Sequence, residues 1–262
     1  MSEDYVAVGR DGAIATVRID RPNAYNALNA AILRRLGDAI AALAETGEVR
    51  AIVLTGTGDK AFSAGADLDE LAGLSADEAT PLMRAGQEVI RSIEQCPVPV
   101  IAAVNGLALG GGFELVLACS FAVASTRAAF ALPEAGLGLI PGYGGTQRLA
   151  RVVGPAVARH AMLTGHRFDA ERAYHLGITV LPPAEPSDLI PAALEMASEV
   201  ARRGPDACRA ILNAVDVGLD STLDIGLALE TQLAAMAIGG TESTEGVAAF
   251  RQRRTPKFEV KA

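Results

Sequence analysis

Apolar positions along this chain change period several times, and each change marks an element. Residues 5–8 and Ile14–Ile19 read as two strands, with a strong hairpin signal at Asp11 and Gly12 between them. From about Asn29 the period lengthens. Ile32, Leu33, Leu36, Ile40 and Leu43 recur at helical spacing and predict an amphipathic helix. The apolar run 51–54 predicts a buried strand, and a glycine-rich loop follows over 55–67. A second long helix is expected from near Ser75, where Ser75 and Glu78 have capping-box spacing. Leu82, Met83, Gly86, Val89, Ile90 and Ile93 form its core face. Pro97 and Pro99 end it. Val100–Val104 predicts another strand, residues 110–119 a helix, and Phe121–Ala124 a further strand.

The first half thus repeats a unit of strand or strand pair followed by helix, with no repeat visible in the residues themselves. That order predicts a coiled α/β layer architecture and not a sandwich. From about Pro186 the strand signals vanish. Cys208, Ile211, Leu212, Val215 and Leu219 fit a helix, Leu223, Leu227 and Leu233 fit one more loosely, and the charged tail 241–257 is expected to be helical. This helical third is either a packing layer over the core or an oligomerisation element.

Composition narrows the function. The 262 residues allow one large domain, or a core with a small second unit, and 50% apolar content is enough for a real core. Asp and Glu number 31 against 23 Lys and Arg, a net charge of −8. That balance, with no Trp and 4% aromatic residues, argues against nucleic-acid binding. Cys96, Cys119 and Cys208 are odd in number, widely spaced and lack a CxxC, which excludes a disulfide scaffold and suits a reducing cytoplasm. The N-terminal MSEDYVAVGR shows no secretory leader. The longest charge-free apolar stretch, 95–113, contains Pro97, Pro99, Asn105 and three consecutive glycines, so no membrane span is expected.

Between Gln95 and Gln147 only Glu114, Arg127 and Glu134 carry charge, in a chain where 21% of residues do. An unpaired carboxylate in apolar surroundings costs several kcal/mol, on the order given by measured transfer penalties, so both glutamates are candidate functional acids with shifted pKa values. Each could equally be a helix-end carboxylate on a solvated face. Gly110, Gly111 and Gly112 at a helix start expose backbone N–H groups. The loop AFSAGADL (61–68) could bring another, and two converging amides would make an oxyanion hole. Other motifs fail. GTGDKA (56–61) imitates a dinucleotide fingerprint, but FSAGAD follows where a helix is required. No GxxxxGK[ST] or GxSxG is present, and His160, His166 and His175 have no metal-ligand spacing.

Five segments, in order, resemble the enoyl-CoA hydratase/isomerase (crotonase) superfamily over essentially the whole chain: IDRPNAYNAL (19–28), KAFSAGADL (60–68), IAAVNGLALGGGFELVLAC (101–119), ALPEAGLGLIPGYGGTQRL (131–149) and AFRQRRTPKF (249–258). The resemblance implies a crotonase-type spiral of ββα turns over 1–195 holding an acyl-CoA site, and a helical part over 196–262 that packs homotrimers or homohexamers. It implies that the amides of Ala66 and Gly111 bind the thioester oxygen. The Ala64 carbonyl and the turn at Ala24 would face the adenine of CoA, and Gly65, Asp67 and Leu68 would line the same site. Gly142 would donate its N–H to the reacting water, and Glu114 and Glu134 would be the catalytic pair. Lys257 and Phe258 would lie near a CoA site in the assembly. Segment 72–83 is expected to shape the acyl tunnel.

The activity this implies is hydration of a trans-2-enoyl-CoA in fatty-acid or related acyl-CoA metabolism, with coenzyme A part of the substrate and no separate cofactor or metal. Isomerisation of an enoyl-CoA, dehydration of a specialised acyl-CoA, and a non-catalytic acyl-CoA-binding regulator are the alternatives. Two departures stand out. Ser120 follows Cys119 where many members carry Asp, a change expected to be structural, and Leu132 is apolar where some members are polar.

Overall fold

The structure is a computed structural model and describes residues 5–258. The opening residues 1–4 of the stretch read as free of a leader lie outside the described residues. Strands β1 (Val6–Asp11) and β2 (Ile14–Ile19) pair antiparallel with Asp11 opposite Ile14, so the hairpin turns on Gly12 and Ala13. Helix α1 (Ala30–Glu45) starts where the Asn29 side chain accepts the Ile32 amide at 2.9 Å, and it buries Ile32, Leu33, Leu36 and Ile40. Strand β3 (Ala51–Gly56) is buried throughout and runs past the apolar residues that predicted it. It can do so because the Thr55 hydroxyl donates to the Ala103 carbonyl at 2.7 Å.

The expected loop over 55–67 contains a short strand, β4 (Ala61–Ser63), and leads into α2 (Leu68–Leu71), whose N-cap is Asp67. Helix α3 (Ala76–Glu94) carries both halves of the Ser75–Glu78 capping box. Then come β5 (Val100–Val104), β6 (Leu107–Leu109), α4 (Gly111–Ala118), β7 (Phe121–Ala124) and β8 (Ala129–Ala131). A 3₁₀ turn, Glu134–Leu137, precedes α5 (Gly145–Val153), α6 (Pro155–Thr164), β9 (Phe168–Asp169), α7 (Ala170–His175) and α8 (Leu189–Ala201). Helices α9 (Pro205–Leu219), α10 (Leu223–Ile238) and α11 (Thr241–Arg251) complete the chain.

The described strands form two sheets, ordered β1-β2-β3-β5-β7 and β4-β6-β8-β9. Each turn of chain adds one strand to each sheet in parallel register: β3 and β4, then β5 and β6, then β7 and β8. That is the expected spiral. The larger core lies between the sheets and α1, α3 and α4, with Phe62, Phe113 and Phe130 fully buried. On the other face of the first sheet, Leu189, Ala193 and Ala197 of α8 pack on Ala51, Val53, Ile101 and Ala103. Position 195, the expected boundary, falls inside α8. Ser120 is structural: its hydroxyl accepts the Val100 amide at 3.1 Å, tying the start of β7 to β5.

The tail differs from expectation in length. Helix α11 stops at Arg251, Arg253 takes φ 53°, and the chain runs on without regular structure to Phe258. Among the described residues nothing buries a residue of α9 or α10, and Ile211, Leu219, Leu223, Met236 and Ile238 are all largely exposed.

Candidate active site

A cavity of about 930 Å³ opens between α2, α3, α4 and the segment 133–147. Ala64, Gly65, Ala66, Asp67, Leu68, Gly111, Glu114, Glu134 and Gly142 all line it. So do Leu71 and, from the segment 72–83 expected at the acyl tunnel, Leu74, Ala79 and Met83.

Two loops meet at one end. Gly65 takes φ 98°, and a side chain there would come 2.6 Å from the Leu109 carbonyl and 3.1 Å from the Gly111 nitrogen. Only glycine lets the backbones approach this closely. An isolated bridge fastens the loop to Leu28: the Leu28 amide donates to the Gly65 carbonyl at 2.7 Å and the Asp67 amide to the Leu28 carbonyl at 2.9 Å. This bridge uses neither polar group of Ala66. Gly111 is the first residue of α4, so its amide has no acceptor within the helix. The Ala66 nitrogen lies 3.4 Å from where a Gly111 Cβ would stand, so the two N–H groups are neighbours at the cavity wall.

Glu114 is buried and Glu134 partly buried. Glu114 is 1% exposed, which overturns the solvated-face alternative for it. Its Oε1 accepts the Tyr143 amide at 2.8 Å and the Gly145 amide at 2.6 Å. Burial pushes its pKa up to about 7; the Gly145 bond works against this, Glu134 adds to it, and the Tyr143 bond and the Arg148 charge oppose it. Glu134 opens the 3₁₀ turn after Pro133, its Oε2 is buried with no hydrogen-bond partner among the described residues, and desolvation raises its pKa too. Gly142 lines the cavity next to Met83, and its carbonyl accepts Gln87 Nε2 at 2.8 Å.

Asp67 is already engaged. Arg21 Nη1 donates to its Oδ2 at 2.6 Å, which holds its carboxyl below the usual range, and its Oδ1 accepts the Asp69 amide. Its visible work is to cap α2 and anchor the loop. Ala24 is outside the cavity wall but adjoins it, since the Ala64 amide donates to the Tyr25 carbonyl at 2.9 Å. Lys257 and Phe258 do not line this cavity. The Lys257 amide donates to Glu245, the Phe258 carbonyl accepts Arg50 Nη2 at 2.5 Å, and Phe258 lines a second cavity among α9, α10 and α11.

Sequence reasoning missed three contributors. The Tyr143 and Gly145 amides sit in a quoted motif, but nothing in their residue type marks them as partners of Glu114. Asn26, buried with φ 57°, bonds the Arg21 amide and the Thr57 and Ala61 carbonyls, so it fixes the turn beside the loop. Its local signal was an Asn able to adopt positive φ. Among the described residues no group of His, Cys, Asp and Glu is arranged to hold a metal, and His160, His166 and His175 are exposed.

The family model described as Enoyl-CoA hydratase/isomerase matches residues 9–261. The chain belongs to this family. It is 37% identical over 258 residues to a crotonyl-CoA hydratase of Syntrophomonas wolfei, covering 98% of this chain and 99% of that protein. It is 39% identical over 260 residues to the 2,3-dehydroadipyl-CoA hydratase of Escherichia coli, covering 99% of each. The crystal structure of an enoyl-CoA hydratase from Bacillus anthracis superposes with a TM-score of 0.94 at 36% identity, over 98% of this chain and all of that one. The ββα spiral is therefore the crotonase fold, with its helical C-terminal part.

Proposed function

We propose that this chain catalyses the reversible addition of water to a trans-2-enoyl-CoA thioester, giving the 3-hydroxyacyl-CoA. The observation that carries the proposal is the pair Glu114, buried, and Glu134, partly buried, on one cavity wall beside the neighbouring amides of Ala66 and Gly111. Hydratase relatives of near-equal identity support it.

The chemistry follows from the residues. An α,β-unsaturated thioester is a weak electrophile. Hydrogen bonds from the Ala66 and Gly111 amides to its carbonyl oxygen draw charge from C3 and stabilise the enolate-like state; one such donor is worth about 10²–10³ in rate. Ionised Glu114 takes a proton from water held by the Gly142 amide, and the oxygen bonds to C3. Neutral Glu134 gives its proton to C2. The proton on Glu114 then replaces the one lost from Glu134 through solvent. Two carboxyl groups that share a desolvated site cannot both ionise freely, which sets one as base and the other as acid near neutrality. No step requires a metal or redox group, and coenzyme A enters as part of the substrate. The Ala64 carbonyl and the Ala24 turn face its adenine, with Gly65, Asp67 and Leu68 forming the wall between.

Among the described residues no Lys, Arg or His lines the cavity, whereas Leu71, Leu74, Met83 and Leu139 do. That lining favours an aliphatic acyl chain over one ending in a second carboxylate. The exposed apolar residues of α9 and α10 support assembly as a trimer or hexamer, in which Lys257 and Phe258 reach a CoA site. Cys96, Cys119 and Cys208 are all free, in keeping with a cytoplasmic enzyme of fatty-acid or related acyl-CoA breakdown. No helix among the described residues is long and apolar enough to cross a membrane.

The test is loss of the conjugated-enoyl absorbance of crotonyl-CoA and longer 2-enoyl-CoA esters, with the 3-hydroxy product identified. Turnover should be faster with aliphatic esters than with 2,3-dehydroadipyl-CoA. No hydration of any ester, with a 3-enoyl-CoA converted instead, would replace this reading by isomerisation.

A further inference from the structure

Glu114 is held by a turn, not by another side chain, and the turn is itself held. Its two donors, the amides of Tyr143 and Gly145, flank Gly144, which has φ 108°. Arg148, on the first turns of α5, folds back over this segment. Its Nη1 donates to the Tyr143 carbonyl at 2.8 Å, and a side chain on Gly144 would collide with its guanidinium. The other edge of that guanidinium forms a fork with Glu94 at the end of α3: Nε to Oε1 and Nη2 to Oε2, both 2.8 Å. The side chains of Arg148 and Glu94 are 14% and 19% exposed, so the pair is shielded from solvent. The Tyr143 ring packs against α3 at Gly86, where a methyl group would overlap it. The turn is thus clamped to α3 at both its carbonyl and its ring.

We propose that Arg148, fixed by Glu94, is a positioning residue for Glu114: it sets the 143–145 turn whose two amides orient the carboxylate toward the cavity. The inference rests on the reading of Glu114 as the base. The charged and titratable groups around Glu114 are Glu134 on the 3₁₀ turn, Tyr143 on the clamped turn and Arg148 on α5. Around the clamp, Arg91 also reaches Glu94 at 2.6 Å, and Asp220 pairs with Arg91 and Arg151 while Asp216 lies near Glu94. Burial works against charge on Glu94, but the guanidinium groups of Arg148 and Arg91 outweigh it and keep its carboxyl below the usual range. The clamp therefore stays ionised wherever Glu114 titrates.

The experiment measures kcat and KM for 2-enoyl-CoA hydration across pH for the full chain and for Arg148→Gln, Arg148→Lys, Glu94→Gln and Arg148→Gln with Glu94→Gln. Loss of the positive charge and of the turn's hold disfavours ionised Glu114, so the acid limb of kcat moves to higher pH in Arg148→Gln. Misplacement of the base lowers kcat about 10- to 100-fold, with KM within about twofold. Arg148→Lys, which keeps the charge, returns the limb toward the parent's position. The double variant is no worse than Arg148→Gln alone, because the pair acts as one unit. A limb unchanged in Arg148→Gln, or a loss seen in KM only, overturns the proposal. If Arg148→Gln does not fold, Glu94→Gln is read by kcat and KM alone: kcat falls about 10-fold or more with KM within about twofold, and an unchanged kcat overturns the proposal. Full activity in Glu114→Gln would instead bring down the underlying reading. An inactive Glu114→Gln beside an unmoved limb in Arg148→Gln brings down this inference alone.

Discussion

The Gly145 amide nitrogen stands 2.6 Å from Oε1 of Glu114, a residue on the preceding helix that is 1% exposed. Burial alone would drive that carboxyl far toward its neutral form. The amide, together with that of Tyr143, offsets part of the penalty, and the balance leaves the pKa at about 7. A base poised there is half ionised near neutrality, the condition that favours proton transfer.

The activity should therefore rise with pH through a limb near 7 as Glu114 loses its proton, while desolvation raises Glu134 in the direction that keeps the proton it must donate. Because the two acids interact, the limb is a macroscopic value of the pair. Glu114→Gln should lose the acid limb, and Glu114→Gln and Glu134→Gln should each lower kcat about 10²-fold or more. Profiles of kcat/KM for the three proteins decide this, and near-parental rates in both variants would sink the two-acid mechanism.

Stability carries the same signature with the opposite benefit. Between about pH 4.5 and 7, native Glu114 holds a proton that the unfolded chain has released, so the native state loses stability as pH rises across that window. Glu134 is shifted in the same direction and adds a parallel slope. Glu114→Gln removes one of the two titrations. Relative to the parent it should gain up to about 3 kcal/mol between pH 5 and pH 8. Urea unfolding at the two pH values measures the difference; an equal gap at both would show that Glu114 is not shifted.

The oxyanion pair can be tested without losing the helix. Gly111 is the first residue of α4, where proline's missing N–H breaks no intrahelical bond. Gly111→Pro deletes the donor and crowds the Tyr143 ring, which would lie 3.0 Å from the new Cβ. Hydration should fall at least about 10²-fold while circular dichroism stays native. A folded, active variant would show that this amide does not polarise the thioester.

Assembly should bury what one chain leaves bare. Ile211 and Leu223 are 63% and 75% exposed on helices in which no residue is buried among the described residues. Light scattering should give about three or six protomers, and Ile211→Glu should lower that mass. A monomeric parent with full activity would remove the assembly from the picture.

Lys257 is the test of how the tail takes part. Its backbone amide is engaged by Glu245, but its side chain is exposed. In an acidic protein a local cation that meets a CoA phosphate matters for binding. Lys257→Ala should raise KM about two- to fivefold with kcat unchanged, and the effect should shrink at high salt. An unchanged KM at low salt would place Lys257 outside the substrate site.

Much of the fold is written in local pattern, because a hairpin turn, an N-cap and an amphipathic face depend only on neighbours a few residues away. The Gly12 turn, the Ser75–Glu78 cap and the buried face of α1 were all legible for that reason. The near absence of charge around Glu114 was legible too, since desolvation penalises ionisable residues wherever the chain is destined for the interior. Strands β4, β6 and β8 were not: three residues carry no measurable period, and their order in a second sheet follows from how the spiral stacks. Nor could the residues show that Glu114 takes its hydrogen bonds from Tyr143 and Gly145, or that Arg148 holds those amides by a fork to Glu94. Backbone amides have no residue type to read, and a fork across 54 positions exists only once α3 and α5 lie side by side. Sequence chose which groups are chemically able; the packing of distant segments decided which of them meet, and at what distance.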